Sequence, residues 1–215
     1  MKNILCAVLL FLCADTALPQ FQARAGMGIN FSTMPSLKDY LNQNYAPFSN
    51  QLGSFHSAII FSGEVDYSLT HKYQIGIETA YQLSSFTYNY DIGQYELIYN
   101  IIMPTIVGYY VIAGPGFEFK FGTGFGLRFL TVDETLPPLR SSAVYKSTGF
   151  GIVLRGDGNT LLGGNIYANI GADIRYDFNG EPDSGGIKIN NKAIGETVNF
   201  NSLSFGIRLG VTYFF

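Results

Sequence analysis

The sequence predicts an all-β chain: an eight-stranded antiparallel up-and-down transmembrane β-barrel with short periplasmic turns and long extracellular loops. Three observations predict it. Apolar and polar residues alternate with a period of two through most of the chain, as in strands whose two faces meet different surroundings. Eight such segments can be marked, and their connections alternate between short and long, as in membrane barrels. Charged residues are only 13% of the 215, against roughly 25% in an average soluble domain. Apolar residues are abundant, yet no stretch holds the ~20 consecutive ones that a spanning helix needs.

The elements follow in order. Lys2 precedes a nearly continuous apolar run from Ile4 to Cys13. One positive charge before about ten apolar residues is the pattern of a secretory signal peptide. Residues 1–20 are therefore read as a leader, cut somewhere in 14–20, and residues 21–215 as the barrel domain. Cys6 and Cys13 both fall in the leader, so the mature chain is expected to hold no disulfide, no thiolate metal site and no cofactor. Leu12 is too large for a lipobox at Cys13.

The first strand spans about 21–31, with Phe21, Met27, Ile29 and Phe31 on one face and Gln22, Arg24 and Asn30 on the other. The second, 56–69, opposes Ile59, Phe61, Val65 and Tyr67 to Glu64 and Asp66; the third, 73–85, opposes Ile75, Ile77 and Tyr81 to Gln74, Glu78 and Gln82. The fourth, 94–110, has a less clean phase. Tyr95, Leu97, Tyr99, Ile101 and Met103 share a face, Ile98, Ile102 and Ile106 lie opposite, and Pro104 suggests a bulge. The fifth spans 117–130. The sixth, 144–155, is expected to end at a Gly156-Asp157-Gly158-Asn159 turn. The seventh, 162–178, opposes Ile166, Ile170 and Ile174 to Asn169, Asp173, Arg175 and Asp177. The eighth runs from Leu203 to Phe215. Short turns fall at 70–72, 111–116 and 156–160, and long loops at 32–55, 86–94, 131–143 and 179–198.

Size decides which face points out. The fifth strand carries Phe117, Phe119, Phe121, Phe125 and Phe129 on one face and Glu118, Lys120, Gly122, Gly124, Gly126 and Arg128 on the other. An eight-stranded barrel has an interior just wide enough for side chains to fill, and that many phenylalanines from every strand would overfill it. The aromatic face is therefore turned outward, and lipid is the surrounding that tolerates it. The inward charges then need partners. They are Arg24, Lys120, Arg128, Arg155, Arg175 and Arg208 against Glu64, Asp66, Glu78, Glu96, Glu118, Asp173 and Asp177. Such a set either packs as a salt-bridge network or lines a charged path, and a narrow lumen favours the network.

Other motifs are read more plainly. Gly122-x-Gly124-x-Gly126 continues a strand and opens no helix, so it supplies small interior residues and not a phosphate loop. His56 and Ser57, adjacent on a strand, point to opposite faces and cannot pair as base and nucleophile; His56 could meet a serine from another strand, but nothing singles one out, so no catalytic site is expected. In the first loop, Ser36 and Asp39 suggest an N-cap and its N3 acid, and Leu37, Leu41 and Tyr45 share one face, so a short helix over the barrel mouth is expected. Tyr88, Tyr90 and Tyr95 are read as an interfacial girdle, and the fourth loop, rich in glycine, as flexible. A net charge of −3 gives no reason to expect nucleic acid.

The alternating strands, the leader and the terminal Val211-Thr212-Tyr213-Phe214-Phe215 resemble the small outer-membrane β-barrel family, including OmpX-like barrels, the OmpA membrane domain and PorT-like proteins. The start, Gln20 to Gly28, is similar to the first strand of the PorT-like group. The resemblance implies a monomer among outer-membrane lipid in a Gram-negative cell. It also implies that Leu209, Val211, Tyr213 and Phe215 form the C-terminal signal read by the barrel-assembly machinery. The resemblance is unspecific for activity, and the role expected is structural or surface interaction through the outer loops. The alternatives are a narrow conduit for small solutes, including apolar ones entering under the first loop, and a lipid-modifying enzyme. Fold does not give function.

Overall fold

The computed structural model describes residues 21–91, 93–137 and 141–215; the leader expected at residues 1–20 lies outside them. Eight long strands make the barrel: β1 (Phe21–Thr33), β2 (His56–Ser68), β3 (Tyr73–Tyr90), β4 (Gly93–Gly114), β5 (Phe117–Leu136), β6 (Ser141–Gly163), β7 (Ile166–Phe178) and β8 (Ser202–Phe214). Each pairs antiparallel with its chain neighbours, and β1 pairs with β8 to close the ring. Closure leaves no free sheet edge around the belt, as any chain lying in hydrocarbon requires.

The outward face is apolar. Met27, Ile77, Phe121, Phe125 and Leu209 are each more than half exposed. On β1 the apolar stripe from Phe21 to Phe31 covers roughly 33 Å of strand at ~3.3 Å per residue, or about 25 Å once tilted by ~40°. Aromatic pairs mark both rims of that belt. Phe21 meets Tyr67 at 5.0 Å and Tyr73 meets Tyr110 at 5.8 Å near the short turns. Phe150 stacks on Phe178 at 4.7 Å near the long loops.

The short connections are tight. Pro115-Gly116 links β4 to β5 and Gly164-Asn165 links β6 to β7, with Gly116 at φ +79 and Gly164 at φ +57, where a side chain would be strained. The expected turn at 156–159 does not exist. β6 runs on to Gly163, because alternation continues through it: Arg155, Asp157 and Asn159 are buried inward while Gly156 and Gly158 lie outward. Pro104 makes no bulge either. The β4–β5 ladder skips two positions there and resumes in the same register, from Ile102↔Phe129 to Thr105↔Gly126.

The barrel is taller on one side. β3 to β6 hold 18 to 23 residues and the other four strands 13 each. The segments expected as loops at 86–94 and 131–143 are largely continuations of β3–β4 and β5–β6. β3 leaves β2 after Leu83 and rises to Tyr90, roughly 23 Å of further strand at ~3.3 Å per residue. Above the belt its outward residues, and those of β5 and β6, turn polar: Thr87 and Asn89, then Thr131, Asp133 and Thr135, then Lys146 and Thr148.

On the low side the two remaining long loops fold across the mouth. The first carries α1 (Pro35–Asn44) and a single 3-10 turn, Phe48–Asn50. The helix is present where expected, with Leu37 and Leu41 fully buried, but Ser36 does not cap it. Met34 is the N-cap, Pro35 occupies the first turn, and the Ser36 hydroxyl accepts the Asn199 backbone N–H instead. The last loop, expected to be flexible and solvated, contributes buried Ile189, Val198 and Phe200 and a two-residue strand, Asp183–Ser184, that meets β6 at Lys146.

Candidate functional site

The lumen is packed in three tiers. At the short-turn end lies a tier of amides around one carboxylate. Glu118 accepts from Gln22 at 3.0 Å, Gln74 at 3.3 Å and Asn159 at 3.1 Å. It has no cation within ion-pair distance among the described residues, and neutral donors satisfy it.

Above it is the ionic tier. Arg24 binds Glu64 at 2.7 Å and Asp157 at 2.8 Å. Arg155 bridges Glu64 and Glu78, and Glu78 also receives Arg175 at 3.2 Å and Arg208 at 2.8 Å. Asp173 joins Arg175 at 3.1 Å and Arg208 at 2.9 Å. Lys120 pairs with Asp66, and Arg128 with Asp177, each at 2.5 Å. All of these side chains are at most about a twentieth exposed. Shared carboxylates matter here, since a buried ion is tolerable only when paired and fully hydrogen-bonded.

The glycines make room for this tier. The Tyr109 ring lies across Gly122, where a Cβ would stand 2.5 Å from Cδ1. Its hydroxyl donates to Glu64 at 2.5 Å, and its face carries the Lys120 ammonium 4.7 Å from the centroid. Gly76 leaves the space that the Asp66 carboxylate occupies.

The third tier, toward the long loops, is apolar. Ile60, Ala80, Leu97, Tyr99, Ile101, Met103, Leu130 and Val132 line the wall, and Leu37, Leu41 and Phe200 close it from above. Its polar groups serve to fasten the cap. Tyr40 of α1 and Tyr95 of β4 both donate to the buried Glu134 carboxylate, Tyr45 stacks on Tyr95 at 3.7 Å, and Tyr90 donates to the Tyr45 carbonyl. Burial, and after it the Glu134 charge, pushes the Tyr40 phenol far above its ordinary pKa, so it stays a donor.

The structure thus brings together Arg24, Glu64, Asp66, Glu78, Lys120, Arg128, Arg155, Asp173, Arg175, Asp177 and Arg208 as ion pairs in one lumen, and sets Glu118 in the amide tier below. Glu96 is a correction. It lies on the outward face of the tall wall, because the buried face of β4 is the odd one, with Tyr95, Leu97, Tyr99, Ile101 and Met103 inside. That face looked lipid-directed because its upper lumen is itself apolar. Asp157 and Glu134 were missed: one lay in a supposed turn, the other in a supposed loop. Tyr88 and Tyr95 are buried under the cap and not in a girdle. Leu209, Val211, Tyr213 and Phe215 all face outward on or just beyond β8. His56 faces the Tyr99 hydroxyl at 2.8 Å, while Ser57 points out.

Comparison with known proteins agrees with this architecture. No family model matches the chain, and no curated protein matches it. Among solved structures, Neisserial surface protein A is similar over 93% of this chain and 100% of its own, at 13% identity and TM-score 0.51. The fold is that of the small outer-membrane β-barrels. Ail of Yersinia pestis, solved in complex with the heparin analogue sucrose octasulfate, shares this fold at 10% identity and TM-score 0.51, covering 90% of this chain and 98% of its own. The outer membrane protease OmpT from Escherichia coli does so at 10% identity and TM-score 0.50, over 94% and 99%. At such identities the likeness speaks for the fold alone.

Proposed function

We propose that this chain is an outer-membrane β-barrel with a closed lumen, and that its role is structural or one of surface interaction, carried by the long-loop end. The observation that carries this reading is the double closure of the lumen, by an ionic tier in which each charged side chain has a partner of opposite sign and by an apolar tier under α1. An ion crossing the barrel would have to displace Arg155 from Glu64 and Glu78, and then leave water for a chamber of leucine, isoleucine and tyrosine, which is costly without compensating partners. The outward apolar belt and the fold support placement in the outer membrane, with residues 1–20 as export signal, the final strand as assembly signal and the long loops outside the cell. The surface offered there is the polar outer wall of β3 to β6 together with the cap.

A conduit is the rival reading, and the packed lumen weighs against it. Purified protein in planar lipid bilayers should give no discrete conductance steps. Reproducible single-channel openings by the folded form would overturn the closed-lumen reading. No catalytic step belongs to the proposal, since His56 is engaged with the Tyr99 hydroxyl and, among the described residues, makes no hydrogen bond to Ser32, its inward neighbour across the β1–β2 ladder.

A further inference from the structure

On the low side of the rim, between α1, the last loop and the tops of β7 and β8, lies an open pocket of about 480 Å³. It is separate from the lumen, and neither the closed barrel nor the cap needs it. We propose that this pocket binds a neutral saccharide.

The argument begins with donors and acceptors. Asp39 and Glu196 line the pocket with carboxylates. Lys38, which stands 3.8 Å from Asp39, is not among the lining residues. Ser36, Asn199 and Asn201 supply donors whose orientation is fixed by what their oxygens already accept. The Ser36 hydroxyl oxygen takes the Asn199 N–H at 3.1 Å, Asn199 Oδ1 takes the Asn201 N–H at 3.3 Å, and Asn201 Oδ1 takes the Gly180 N–H at 2.9 Å. Each oxygen accepts one of these bonds, and the hydroxyl proton and both amide NH2 groups make no other hydrogen bond among the described residues and are left to donate.

Carboxylate acceptors beside oriented donors suit a ligand whose every group both gives and takes a hydrogen bond, which is the chemistry of sugar hydroxyls. Tyr176 and Leu203 add an apolar wall against which a pyranose ring can lie. The volume lies within the ordinary range for small-molecule sites, ~300–1,000 Å³. Sign excludes the anionic relatives of such a ligand. Glu196 has no ion-pair partner among the described residues, Asp39 shares its charge with Lys38 outside the pocket, and no cation lines the pocket, so phosphate or sulfate groups meet net repulsion there. Tyr176 and Leu203 are also outward residues of the belt's upper rim, so the sugar could belong to an outer-leaflet glycolipid as readily as to a free saccharide.

The test uses the full barrel folded in phosphatidylglycerol nanodiscs and saturation-transfer NMR, with sucrose, lactose and diacetylchitobiose as neutral probes and sucrose octasulfate as the charged one. At least one neutral sugar should receive saturation, and sucrose octasulfate should not displace it. Asp39→Ala with Glu196→Ala should weaken that binding about tenfold or more, while Glu96→Ala on the far wall should leave it unchanged. Both replaced side chains are exposed, so the heat-dependent gel shift of a folded barrel should persist. The proposal is overturned if no neutral sugar binds, if the double variant binds as well as the parent, or if the sulfated probe is preferred. Nanodiscs containing lipopolysaccharide separate the sources. Loss of the probe signal there assigns the pocket to a glycolipid headgroup, and an undiminished signal assigns it to a free saccharide. A conducting barrel would refute the closed lumen without touching this result.

Discussion

Replacing Glu78 by glutamine tests whether the ionic tier holds the barrel together. Glu78 is fully buried and receives three guanidiniums: Arg155, Arg175 at 3.2 Å and Arg208 at 2.8 Å. Glutamine keeps the shape but removes the charge and turns an N–H group toward N–H groups. Removing one partner of a buried ion pair costs about 3–5 kcal/mol. Here each arginine retains a second carboxylate, Glu64 for Arg155 and Asp173 for Arg175 and Arg208. The lower end applies, about 3 kcal/mol, or roughly a 150-fold shift in the unfolding equilibrium at ~1.4 kcal/mol per decade. Urea unfolding in detergent, followed by the mobility of unheated samples on a gel, reads the shift. Adding Arg208→Gln should recover at least ~1 kcal/mol, because it removes the cation left in excess. Glu96→Gln, on the outer wall, should do nothing. If Glu78→Gln stays within ~0.5 kcal/mol of the parent, or Arg208→Gln makes it worse by the full single-variant amount, the tier is not a coupled network and the reasoning fails.

Two further outcomes follow from the seam and the belt. A Cβ at Gly28 would land on the Ile207 carbonyl where β1 meets β8, whereas at Gly63 it would meet nothing within 4 Å. Gly28→Ala should therefore destabilise by ~1–3 kcal/mol and slow closure of the barrel, and Gly63→Ala should be near neutral, both by the same gel assay. Phe125, two-thirds exposed in the middle of the outward face of β5, should cost ~2–4 kcal/mol when changed to arginine and refolded into lipid vesicles. A neutral result would mean that this face does not meet hydrocarbon.

The barrel was legible because period-two alternation survives wherever one side meets lipid and the other a charged lumen. It became illegible where that contrast weakens. In the upper half of β4 the inward face is the apolar one and the outward face carries Gln94, Glu96 and Asn100, so Tyr95 to Met103 looked lipid-directed and Glu96 was placed inside in their stead. Above the belt the outward residues of β3 and β5 turn polar, and Thr87, Asn89, Thr131 and Asp133 read as loop although Tyr88, Leu130, Val132 and Glu134 keep the inward phase. Gly156-Asp157-Gly158-Asn159 has turn composition, but its glycines merely face outward. The sequence holds no local signal for Tyr40 meeting Glu134, ninety-four positions away; only closure of the barrel brings them together.

The order of the tiers bears on what the cap can do. Ten residues of helix are too few to persist alone in water, so α1 exists because Leu37 and Leu41 are buried on the apolar tier. Its position is thus conditional, fastened by Tyr40, Tyr45 and Tyr90 and by the last loop. The ionic tier is not conditional in that way, since its pairs join strands whose ladders already fix them. Lifting α1 would expose a hydrophobic chamber to the outside while the floor beneath stayed closed by Arg128, Glu78 and their partners. Movement of the cap therefore changes the surface that the protein presents without opening a path through it. That arrangement suits recognition at the rim better than transport along the axis.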